Sequence, residues 1–210
     1  MFLAILLNGD RQGCLEFAGQ FVHSVADLKR FYLDVVWPSM VIIGELWQAN
    51  RISVADEHLA TAIVGRVMAA LYPRFAEFSI TRGQAIVSAA PNEFHEVGAR
   101  MVADFMELDG WDVTFLGANI PIPDLLTLVR KQKPFVVALS VATVFSLGKA
   151  GHLIKAIREE QGTGDTRVLV GGNAFSGLPH LWKDLGADGY APDAESAVEI
   201  ANHWWDARNG

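Results

Sequence analysis

Glu93 and His95 stand two residues apart in the stretch AIVSAAPNEFHEVG, residues 85–98. A carboxylate beside an imidazole is a metal-holding arrangement. The carboxylate takes one ring nitrogen and leaves the other to meet the ion. The stretch opens as a short apolar run of strand type, breaks at Pro91 and Asn92, and turns helical near Val97. His95 is therefore expected in the turn that follows a strand, where open parallel sheets place their ligands. Two further strand ends carry chemistry. Ser140 and Thr143 follow the run FVVAL, and Gly171–Gly172 follow VLV. A hydroxyl there can bond a ligand atom, and bare backbone lets a large flat ligand approach closely. Each of these residues alone fits a turn or a satisfied core position. Their recurrence at three strand ends points to one crevice.

The elements that must position them follow from periodicity. From residue 84 onward, short apolar strands alternate with amphipathic helices. The strands are expected at 84–90, 112–116, 135–141, 167–170 and 188–191. The helices are expected at 97–108, 122–131, 147–160, 177–185 and 194–207, with Gly and Pro at the joins. Five strand–helix units in series predict a doubly wound parallel sheet. Before it, to about Tyr72, the pattern is helical throughout. Ser24 is expected to cap one helix, Pro38 to begin another that ends near Gln48, and Ser53 to cap a third with Asp56 in its first turn. This predicts a bundle of four or five helices at 1–76 and an α/β domain at 77–210, with a linker at 74–84.

Composition bounds the partners. The chain has 210 residues, 51% of them hydrophobic, and a net charge of −7 without a basic run. Nucleic acid is not an expected direct partner, since phosphate binding wants a basic face. One cysteine, Cys14, forms no internal disulfide framework and fits a cytoplasmic location. No apolar run reaches membrane-spanning length, and MFLAILLNGD lacks the basic start of a signal peptide.

The series Glu93-x-His95-x-x-Gly98, then Ser140, then Gly171–Gly172 resembles the DxHxxG…SxL…GG signature of cobalamin-binding domains, with Glu93 in place of the usual aspartate. The resemblance implies a flavodoxin-like domain that binds cobalamin with His95 as the lower cobalt ligand, in place of the cofactor's own base. Phe94, Val141 and Thr143 flank these positions. Ser140 would contact the nucleotide tail, and Gly171 and Gly172 would let it pass.

Trp47, nine intervening residues, then Glu57–His58 is similar to the W-x9-EH pattern of the photoreceptor branch of that family, typified by light-dependent regulators of carotenoid synthesis. That resemblance implies a helical cap over the upper corrin face, with Trp47, Glu57 and His58 on the adenosyl group. The implied function is light sensing through adenosylcobalamin, whose cobalt–carbon bond breaks in visible light. Gln48 stands where those regulators have a histidine that captures cobalt afterwards. The chain begins on cap helices rather than on their helix-turn-helix, so the expected output is a partner protein or a changed homo-oligomer. The layout also resembles photocobilins, which hold a bilin (biliverdin) besides cobalamin. No residue marks a bilin site, and Cys14 is the one thiol for a thioether. The enzymatic alternative is a corrinoid methyl carrier serving methyltransferases, and a plain cobalamin storage module is the other.

Overall fold

The structure is a computed structural model that describes all residues except 76–78, 161 and 179. The middle of the expected linker and the expected boundary at 76/77 lie outside the described residues. The chain divides into two compact units, Met1–Glu77 and Phe78–Gly210.

The first unit is helical, with α1 (Phe2–Leu7), α2 (Arg11–Phe21), α3 (Val25–Arg30), α4 (Trp37–Gln48) and α5 (Val54–Leu71). Asp10 caps α2, and Ser24 caps α3 as expected. Ser53 and Asp56 close a reciprocal capping box at the start of α5. The α5 face at Ala60, Ile63, Val64, Val67, Met68 and Leu71 is buried at helical spacing. Pro38 stands in the first turn of α4, as expected, but α4 continues the helix before it. Residues 25–48 run without a break through a π-helical turn, Phe31–Val36. Within an α-helix, a proline has no N–H to give and its ring strikes the carbonyl four residues back. The wider turn, in which the Trp37 N–H reaches the Tyr32 carbonyl, shifts the ladder just before that position.

The second unit alternates β1 (Gln84–Ala89), α6 (Val97–Leu108), β2 (Asp112–Phe115), α7 (Ile122–Gln132), β3 (Val136–Ser140), α8 (Leu147–Glu159), β4 (Arg167–Gly171), α9 (Leu181–Asp184), β5 (Gly189–Ala191) and α10 (Ala194–Asn209). The strands form one parallel sheet in the order β2-β1-β3-β4-β5, the flavodoxin-like doubly wound arrangement. Central β3 buries Val136 through Leu139, which accounts for its unbroken apolar run. The helix expected at 177–185 shrinks to α9, because Gly177 takes a φ of +76° that no right-handed helix contains. At the opposite end of the sheet from the strand ends discussed next, Trp205 of α10 stands edge-on to Trp111 and Phe135. No helix among the described residues is long and apolar enough to cross a membrane.

Candidate functional site

The sheet register brings the marked strand ends together. Ala89 of β1 pairs with Ser140 of β3, and Ser140 pairs with Gly171 of β4. The order reverses between β1 and β3, so the crevice at their carboxyl ends is the topological switch point. The turn after β1 uses Asn92 at a φ of +64°, and then presents Glu93 and His95 before α6 begins at Val97.

Glu93 is 2% exposed and its carboxylate is fully engaged. Oε1 accepts from the Phe94 N–H at 3.1 Å, from the His95 N–H at 3.4 Å, and meets His95 Nδ1. Oε2 accepts from the N–H groups of Ala142 at 3.2 Å and Thr143 at 3.0 Å, and from Thr143 Oγ1 at 3.2 Å. Thr143 Oγ1 is itself 3.2 Å from Ser146 Oγ. Burial would push this carboxyl up, but His95 beside it and the N–H groups of Thr143 and His95 outweigh burial and hold it at about 2. A glutamate is one methylene longer than an aspartate. Here the carboxylate spans from the loop after β1 to the loop after β3. The His95 side chain, clamped through Nδ1, remains 48% exposed.

The neighbouring residues make contacts of their own. Thr143 spends its hydroxyl on Glu93. Val141 is fully buried in the core, its N–H donating to the Gly171 carbonyl and its own carbonyl accepting from the Ala174 N–H. Ser140 is half-buried, and its hydroxyl makes no hydrogen bond among the described residues. Gly98 lies in the first turn of α6. Gly171 and Gly172 are required by the protein's own backbone as well. A Cβ on Gly171 would lie 2.6 Å from the Ala191 carbonyl oxygen. Gly172, at φ +101°, would place one 2.4 Å from the Val141 oxygen. The sequence reading missed Val144 and Phe145. Phe145 is 92% exposed, and Val144 and Phe94 are also exposed on the loops beside His95. Two large apolar residues directly after a strand-end threonine were the available signal. An apolar rim left in water around an oriented imidazole fits a large, partly apolar metal complex better than a bare ion.

Within the helical unit, Trp47 lies in the last turn of α4 and Glu57–His58 lie near the start of α5, so the connection at 49–53 brings them to the same end of a helical hairpin. His58 Nδ1 is 2.5 Å from Glu57 Oε2, and Thr61 Oγ1 donates to Glu57 Oε1 at 2.9 Å. Gln48 closes α4. Cys14 is fully buried, and burial, with Asp10 nearby, pushes its thiol up to about 11.

Two family models, each described as a B12 binding domain, match residues 83–199 and 1–72. A corrinoid protein of Desulfitobacterium hafniense is 23% identical over 94% of this chain and 92% of its own length. The monomethylamine corrinoid protein of Methanosarcina barkeri superposes with a TM-score of 0.83 at 19% identity, covering 96% of this chain and 95% of that one, a likeness of fold. The transcriptional repressor CarA of Myxococcus xanthus, of the HTH type, is 30% identical over 76% of this chain and 54% of its own length. The model for residues 83–199 spans more than half the sequence and includes the whole Glu93-to-Gly172 series, so this chain belongs to the B12-binding domain family and binds a cobalamin-type corrinoid.

Proposed function

We propose that the protein is a corrinoid carrier that works with a methyltransferase in the cytoplasm, and is not itself the enzyme. The observation that carries the reading is Glu93, buried and held by donors from two loops, fixing the ring of a half-exposed His95 at the sheet's switch point. With Nδ1–H given to Glu93, Nε2 is the nitrogen that would hold cobalt. An ionised partner on Nδ1 raises the basicity of Nε2 and fixes the tautomer. When bound, cobalamin supplies a cobalt centre that can take up and release an alkyl group on its upper side. The remaining work belongs to the chain. Glu93 holds the imidazole; Phe94, Val144 and Phe145 exclude water from the lower face; Ser140 offers its hydroxyl to the tail; Gly171 and Gly172 keep side chains out of the path. In this reading residues 77–210 hold the corrinoid and residues 1–76 cap its upper face. The near full-length likeness to a corrinoid protein supports carriage over sensing.

A second reading, an adenosylcobalamin light sensor that signals through a partner or a changed homo-oligomer, is favoured by the placing of Trp47, Glu57 and His58 at one hairpin end and by the likeness to CarA. A bilin belongs to this reading. With Cys14 buried and its thiol raised, a bilin would be held without a thioether. Reconstitution with methylcobalamin and with adenosylcobalamin in the dark tests both readings. A carrier binds both forms with comparable affinity, shows the spectrum of cobalt with a lower nitrogen ligand that is lost in His95→Ala, gives up the methyl group to a methyltransferase, and keeps its oligomeric state in light. A sensor prefers the adenosyl form and changes shape or assembly on illumination. Binding of both forms with neither transfer nor a light response would mark a storage module. A spectrum of cobalt without a lower nitrogen ligand, or a His95→Ala variant with an unchanged spectrum, overturns the site itself.

A further inference from the structure

A groove of about 410 Å³ runs beside the edge strand β5 and shares no residue with the His95 crevice. Trp182 of α9, Tyr190 of β5, and Ile200 and Trp204 of α10 form its walls. Position 189 is a glycine for a local reason. A Cβ there would lie 2.8 Å from Trp204 Cζ2, so the missing side chain lets the indole lie against the strand. The face of Trp182 already holds a cation, with Lys183 Nζ 5.2 Å from its ring centroid.

Two carboxylates border the groove, and they differ. Asp188 is occupied, by Arg158 at 2.5 Å, Arg167 at 3.4 Å and the Val168 N–H at 2.6 Å. Glu199 makes no hydrogen bond or ion pair among the described residues, and neither does His203 at the same rim. Aromatic faces attract cations through their negative π-clouds, and most strongly cations whose charge is clothed in methyl groups and thinly hydrated. A carboxylate with no counter-charge supplies the rest, and the net charge of −7 draws cations to the surface. A neutral apolar ligand would use the rings and waste Glu199. A bare ammonium would give up hydration that the rings do not replace.

We propose that this groove is a second ligand site, for a small quaternary ammonium compound, with Trp182, Tyr190 and Trp204 against its methyl groups and Glu199 facing its charge. The site does not depend on the reading of the cobalamin crevice. The test titrates choline into the full chain and follows the assigned indole N–H resonances of Trp182 and Trp204. The uncharged isostere 3,3-dimethylbutan-1-ol is titrated in parallel. Choline should give saturable shifts at both indoles, and the alcohol should bind at least about tenfold more weakly. Glu199→Gln, a change at an exposed helical position, should weaken choline by about tenfold and leave the cobalamin spectrum unaltered. Equal binding of choline and the alcohol, unchanged choline affinity in Glu199→Gln, or no saturation at either indole would each overturn the proposal.

Discussion

The molecule contains two glutamate–histidine pairs, one in each unit, and they are built differently. In both, a glutamate oxygen meets Nδ1 of the imidazole. Glu57 and His58 are neighbours in one helical turn, 15% and 75% exposed in their side chains, with Thr61 as the other donor one turn on. Glu93 is buried, and half of its donors come from residues 49 and 50 positions further along the chain. The first pair is local and open to water, where a charge contact is weak and easily exchanged. The second is tied into the sheet: the carboxylate that holds its imidazole through Oε1 is fixed by donors from another loop on Oε2. A rigid imidazole suits a permanent lower ligand. An exposed one suits a face whose contacts change.

The largest test of that contrast is His95→Ala. It should convert the bound spectrum to that of cobalt without a lower nitrogen ligand and lower cobalamin affinity by at least about a hundredfold, whereas His58→Ala should leave the lower-ligand spectrum as it was. Glu93→Gln comes next. It should weaken cobalamin about 10- to 100-fold and cost about 2 kcal/mol in urea unfolding, since a buried site loses its acceptor charge. Glu57→Gln should stay within about 1 kcal/mol.

Acid sharpens the difference further. The Glu93 carboxyl is depressed from an ordinary 4.5 to about 2, so its contribution to stability is complete above 4.5 and fades as pH falls through about 2. The stability gap between the parent protein and Glu93→Gln should therefore be flat above 4.5 and close in stronger acid, as followed by unfolding curves. Thr143→Val removes one of the donors on Oε2 while the backbone N–H groups remain, and should cost about 1 kcal/mol. The smallest effect concerns the helical unit. Cys14, buried and raised to about 11, should react with thiol reagents at neutral pH only at the rate of unfolding.

Much of this was legible in residue order. The strand–helix alternation is a matter of local periodicity, and all five strands fall within a residue or two of their expected bounds. The capping residues Ser24 and Ser53 act through a single turn of chain, so their types sufficed. Pro38 marked the start of α4, but not the π-turn upstream that joins it to the helix before. The helix expected at 177–185 failed at Gly177, whose positive φ is set by the turns around it. In the site, the Glu93–His95 contact was foreseeable from spacing. The donors at Ala142 and Thr143 were not, since only strand pairing brings the loop after β3 against the loop after β1.

The sequence alone determined which residue types lie at the strand ends and in what order, because periodicity and turn chemistry act over a few residues. Only the tertiary structure decided that the Glu93 carboxylate is buried and ionised, that Gly172 is needed to clear the Val141 backbone, and that Phe145 is left in the open. Each of those depends on register between strands about fifty or thirty residues apart, and burial is a property of the neighbours rather than of the residue.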